Sequence, residues 1–235
     1  MNATKKIRVC LIGLNAPPPG TASGTNWAAG GHLPYLSSSD NYELVALQNS
    51  SAARAVEAIK AYGLDADTKA YGTPEGMFSS SSLGHLLTRT EVASDPEIDL
   101  VVSCIRVDRH ASSLIPSIEG GKDVFTEWPM EADLTRAKAL ADAVKQQHGK
   151  VRHVVGVQGR YNPLASKLRD MIAAGAIGNV ESSTFVAHAY GGASLPSPVD
   201  YFADKKVGGN PFTIVFAHSM EFVQQGSFQQ NDILS

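Results

Sequence analysis

The stretch DPEIDLVVSCIRVDRHASSLIPSIEGGKDVFTE, Asp95–Glu127, decides the fold. Asp95–Ile105 reads as a turn followed by a short apolar strand. Arg109–Gly121 reads as a helix that ends in two glycines, and Lys122–Glu127 as a second strand. Two strands joined by a helix lie parallel, because parallel neighbours need a crossover connection.

The same alternation continues on both sides. Toward the N-terminus, IRVCLIGL (Ile7–Leu14) is an apolar run ending in glycine, suited to a central parallel strand. Asn26–Ser39 reads as a helix start with a weak continuation, and Tyr42–Ser50 as the second strand. Ser51–Leu64 is a helix with apolar residues at Ala55, Ile59 and Tyr62, closed by Gly63 where a C-terminal glycine belongs. KAYGTPEG holds a short third strand, and the serine run in Met77–Ser94 reads as a loop expansion or a frayed helix lead-in. Toward the C-terminus, Asp133–Gly149 is an amphipathic helix carrying Leu134, Ala137, Leu140, Ala141 and Val144, and Arg152–Gly159 is the sixth strand. The expectation is an α/β fold: a Rossmann-type doubly wound parallel sheet over residues 1–158, then the incomplete start of an α+β second domain over 159–235.

Bulk composition narrows the function. Of 235 residues, 43% are hydrophobic and 18% charged, an ordinary globular balance, and the net charge is −3. Without a basic stripe, direct nucleic-acid binding has no electrostatic support. The apolar run after Lys5 and Lys6 is only a strand long, so neither a signal peptide nor a membrane span is expected. Cys10 and Cys104 lie in strand-like runs and read as reduced, buried thiols, with no metal site. A cytoplasmic protein is the expectation.

Open α/β sheets bind ligands at the carboxyl ends of their strands. After the first strand, Gly13 fits the opening position of a dinucleotide-binding loop. Asn15 stands where a second glycine would be, in a loop expanded by Pro17, Pro18 and Pro19. After the second strand, Gln48, Asn49, Ser50, Ser51 and Arg54 include no carboxylate to meet a ribose 2′-hydroxyl. That set favours NADP over NAD; equally, Ser50 or Ser51 caps the next helix. Ile105 and His110 follow the fourth strand, Glu127 and Trp128 the fifth, and Gln158 and Arg160 the sixth. All are candidate cofactor contacts.

Taken together, IRVCLIGL, SDPEIDLVVSCIRVDRH, GKDVFTEWP, VVGVQGRYNP and GAIGNVESSTFVAH resemble the glucose–fructose oxidoreductase and inositol dehydrogenase (Gfo/Idh/MocA) family over nearly the whole chain. The closest likeness is to its fungal galactose-pathway repressor branch. The resemblance implies a Rossmann domain followed by an α+β domain that covers the active site and often makes the oligomer contact. It also implies hydride transfer between NADP or NAD and a carbinol or carbonyl of a sugar-like molecule. The family's Glu-Lys-Pro motif reads Glu127-Trp128-Pro129 here, so an indole replaces the lysine near the reacting carbon. His218 matches the family's general acid/base, and Ile214 stands at the position of its aspartate. The repressor branch implies an alternative: dinucleotide binding without turnover, and a regulatory protein partner in place of a small-molecule substrate. Family members run past this chain's end, so a truncated chain is expected, with a homo-oligomer if the second domain is completed.

Overall fold

A computed structural model describes residues 5–18, 27–73, 91–182, 184, 186 and 204–208. The chain divides into two compact units, Met1–Val155 and Gly156–Ser235.

The first unit is built on β1 (Ile7–Ile12), β2 (Tyr42–Asn49), β3 (Lys69–Gly72), β4 (Leu100–Ser103), β5 (Asp123–Glu127) and β6 (His153–Gly156). Their order in the sheet is β3-β2-β1-β4-β5-β6. The pairs β1–β2, β1–β4, β2–β3 and β4–β5 are all parallel. The doubly wound sheet expected from the alternation is therefore present. Because the chain winds outward from β1 in both directions, a crevice opens between β1 and β4 at their carboxyl ends.

The central strands β1 and β4 are covered on both faces, which is why their residues are nearly all apolar. Cys10, Ile12, Val101 and Val124 pack on one side with Leu114 and Ile118 of α4 (His110–Glu119) and Leu140 of α5 (Leu134–Gln146). Val9, Leu11, Leu47 and Val102 pack on the other with Leu33 and Leu36 of α1 (Leu33–Ser38) and Ala55 and Ile59 of α2 (Ala52–Ala61). Adjacent β1 residues alternate between the two cores, as the two-residue period of a strand requires. A short α3 (Glu91–Ser94) precedes β4.

The weak helix anticipated near Asn26–Ser39 is two pieces: a π-helical turn, Ala28–His32, running into α1. Gly30 and Gly31 lie in that turn, and Pro34 opens the regular helix. Helix α2 starts at Ser51, whose hydroxyl accepts from Arg54 N at 3.3 Å, so this serine caps the helix as one of the two sequence readings required.

At the amino ends of the strands, charges are paired. Arg8 grips Asp99 through Nε and Nη2, at 2.9 and 2.8 Å. Lys69 and Tyr71 converge on Asp95 at 2.7 and 2.6 Å. Burial works against the Asp95 charge, but those hydrogen bonds outweigh it and hold its pKa at about 2.

In the second unit, α6 (Pro163–Ala173) begins with Asn162, whose side chain accepts from Leu164 N at 2.9 Å. The strand expected in Glu181–Gly192 and the serine-rich run before α3 lie largely outside the described residues. No helix among the described residues is long and apolar enough to cross a membrane.

Candidate functional site

The chain leaves β1 through Gly13, whose φ of +99° is open to glycine at little cost. Its N–H donates to Gln48 O at 3.1 Å, tying the loop to β2. A Cβ added there would sit 2.3 Å from Cys104 O and 2.7 Å from Ile105 Cγ2, so the loop crosses directly over the end of β4. Asn49 secures the same loop from the other side: its Nδ2 donates to Leu14 O at 2.8 Å, and the residue is only 4% exposed. The Asn49 side chain thus works as a loop clamp, a task the sequence reading did not foresee. Asn15 is exposed, and its carbonyl accepts from Tyr62 Oη at 3.1 Å. It does not take the left-handed backbone of the glycine it replaces, since His148 is the non-glycine with positive φ among the described residues.

His110, expected as a phosphate or ribose contact, is turned inward in the structure. It is 1% exposed, with Nδ1 3.1 Å from Met130 O and Nε2 3.1 Å from Ile105 O. The ring braces the end of β4 against the turn that follows β5. Glu131, also buried, accepts from Ala111 N at 2.5 Å and Ala132 N at 2.8 Å, which holds the same turn against the start of α4. Burial pushes the Glu131 carboxyl up and the His110 imidazole down; burial also lowers His153, which lies 2.8 Å from Thr126 Oγ1.

A pH prediction follows from the two histidines. Each resists protonation when folded but accepts a proton near pH 6.5 when unfolded. Their stability contribution is therefore fully present above about pH 6.5 and is lost as pH falls below it. Urea midpoints are expected to drop between pH 7.5 and pH 5.5, and His153→Gln to make that drop shallower. An unchanged slope in the variant would contradict this assignment. Glu131 acts in the opposite sense, since acid protonates it more readily in the folded chain.

Glu127 closes β5 and is the hub of the crevice. Its Oε1 accepts from Trp27 Nε1 at 3.2 Å and pairs with His32 Nε2. The His32 ring meets Phe125 edge-on, 5.4 Å between centroids at 76°. Trp27 lies over Gly31, where an added Cβ would be 2.8 Å from the indole, and it remains 53% exposed. Cys104 Sγ completes a group in which the His32, Cys104 and Glu127 donor atoms lie within 4.8 Å of one another.

Trp27, His32 and Cys104 were not among the sequence candidates. Only contacts across roughly a hundred residues reveal them, although His32 a helical turn or so after Trp27 in a glycine-bearing loop was a local hint. Trp128 is half-buried beside this group, and Ser50 and Arg54 are exposed at the end of β2 and the start of α2. Gln158 and Arg160 are exposed on a 3₁₀ turn of the second unit. His218 and Ile214 lie outside the described residues.

Comparison with known proteins agrees with this frame. Residues 23–155 match the model of the Gfo/Idh/MocA oxidoreductase family with an NAD-binding Rossmann fold, and residues 163–230 match that of the Gal80p C-terminal domain. The dehydrogenase AclE of Aspergillus oryzae is 29% identical over 93% of this chain and 54% of its own length. The galactose/lactose metabolism regulatory protein GAL80 of Saccharomyces cerevisiae is 26% identical over 93% of this chain and 46% of its own. Among solved structures, a super-repressor mutant of the yeast Gal80p superposes with a TM-score of 0.72 at 23% identity, covering 95% of this chain and 54% of that one. A structure described as a putative myo-inositol dehydrogenase from Sinorhizobium meliloti 1021 gives 0.62 at 23% identity, covering 94% of this chain and 55% of that one. The chain spans about half the length of the curated relatives it matches most fully.

Proposed function

The chain belongs to the Gfo/Idh/MocA oxidoreductase family, and from that premise we propose that it binds NADP or NAD in the β1–β4 crevice and serves hydride transfer to or from a carbinol or carbonyl of a sugar-like molecule. The observation that carries this reading is the Gly13 turn at the switch point of a β3-β2-β1-β4-β5-β6 sheet. It brings the backbone of the β1 loop to the place where such sheets bind dinucleotides. A bound nicotinamide would supply the hydride. The chain's own residues shape the crevice: Gly13 turns the loop, Asn49 clamps it, and Glu127 fixes the Trp27 indole by its N–H. His218 is the proposed proton donor or acceptor.

Titration of the protein with NADPH and NADH, read by nicotinamide fluorescence, tests cofactor binding. Turnover with a panel of aldoses and polyols tests the chemistry. Absence of binding to both cofactors would end this reading. NADPH is the favoured form, because Ser50 and Arg54 are exposed where a 2′-phosphate lies and no acidic side chain stands at Gln48–Arg54. Arg54→Ala is expected to weaken NADPH roughly tenfold, the loss of one charge-assisted contact, and to leave NADH nearly unchanged. Equal weakening of both would reject the 2′-phosphate role.

One observation favours a second reading. Trp128 stands where the family resemblance places a lysine, and an indole offers one N–H donor and no exchangeable charge. Binding of NADP or NAD without turnover, coupled to a regulatory protein partner, is that alternative. The match of residues 163–230 to the Gal80p C-terminal domain supports it. Cofactor binding with turnover of no carbinol would favour it over the first.

A further inference from the structure

We propose that His32, Cys104 and Glu127 form a site for one thiophilic divalent cation of the zinc type. The three side chains come from three separate parts of the chain: the π-helical turn before α1, the residue after β4, and the last residue of β5. Their donor atoms lie within 4.8 Å of one another, and no other such group of three occurs among the described residues. Zinc at about 2.0 Å from nitrogen or oxygen and about 2.3 Å from sulfur needs tetrahedral donors roughly 3.3–3.8 Å apart. Binding therefore draws the sulfur inward and opens the His32–Glu127 pair.

An imidazole, a thiolate and a carboxylate form a set that suits zinc and disfavours magnesium or calcium, which take oxygen donors. Cys104 packs at the edge of the core, and its sulfur lies beside the His32–Glu127 pair. A cation held between the three would take the thiol as a thiolate.

Two further contacts orient the donors as outer partners do at metal sites. Phe125 holds the imidazole plane edge-on, and Trp27 Nε1 donates to Glu127 Oε1 at 3.2 Å. All three donor residues are half-buried, which leaves solvent access for a fourth ligand such as water. Cys10, fully buried, belongs to no such group. The sequence reading expected no metal site because both cysteines lie in apolar strand-like runs; the fold sets His32 and Glu127 beside one of them. The site lies in the crevice proposed for the dinucleotide, and the cobalt test below reads the cation directly on cofactor-free protein.

Cobalt(II) added to the full chain is the test. One equivalent is expected to give the ultraviolet thiolate-to-cobalt charge-transfer band, and zinc to abolish it by displacement. Cys104→Ser is expected to remove the band, His32→Asn to weaken cobalt binding at least about tenfold, and Cys10→Ala to leave both unchanged. Alkylation of Cys104 in the unsubstituted chain, slowed by zinc, gives a readout that does not depend on any variant folding. No band together with no protection of Cys104 would overturn the site, as would a band that survives Cys104→Ser.

Discussion

Gly13→Ala is expected to cost about 3–5 kcal/mol of folding stability, enough to leave a marginal domain largely unfolded. Two separate penalties combine at this residue. At φ +99° an alanine pays the strain of a backbone region that belongs to glycine, on the order of 1–3 kcal/mol. Its methyl would also overlap Cys104 O, 2.3 Å away. That carbonyl is held back by its own residue, whose N–H, one peptide earlier, is bonded to Ile12 O at 3.0 Å at the end of the β1–β4 ladder. Gly63→Ala is the control. Its φ is +60°, but nothing lies within 4 Å of an added Cβ, so it carries strain without overlap and should cost about 1 kcal/mol. Urea denaturation at constant m-value measures both. A Gly13→Ala loss no larger than that of Gly63→Ala would show that the close crossing of β4 is not rigid.

Trp128→Lys is expected to raise turnover of a carbinol with NADP by about hundredfold over the unsubstituted protein. The estimate is the worth of one well-placed donor at a developing oxyanion. The change puts a cation where the family resemblance has its lysine, at the carboxyl end of β5 next to Glu127. Because Trp128 is half-buried, the longer and more flexible lysine can reach solvent with its ammonium while its stem covers the apolar surface the indole leaves. Steady-state assays with aldoses and polyols measure it, with NADPH titration of the same sample to show that cofactor binding survives. Retained binding with no gain in turnover would count for the regulatory reading and against a silenced catalytic site.

The alternation of apolar runs and helical periods was enough to determine the doubly wound sheet, because a strand covered on both faces must be almost wholly apolar and its parallel neighbour must be reached through a helix. Gly13 and Glu127 were legible for the same reason: each is the residue at which such a strand ends. The roles of His110 and Asn49 were not. Both lie at carboxyl ends, where ligand contacts are sought, yet their side chains turn inward to satisfy backbone carbonyls, a choice that depends on which loop crosses above them. The group of Trp27, His32, Cys104 and Glu127 was beyond any one-dimensional reading. Its members are local strangers, a loop aromatic, a helix-start histidine, a strand-end thiol and a strand-end carboxylate, and the interactions that join them act over a few ångströms. Periodicity reports which face a residue occupies within its own element; only the packing of β1, β4 and β5 side by side decides which strand ends meet.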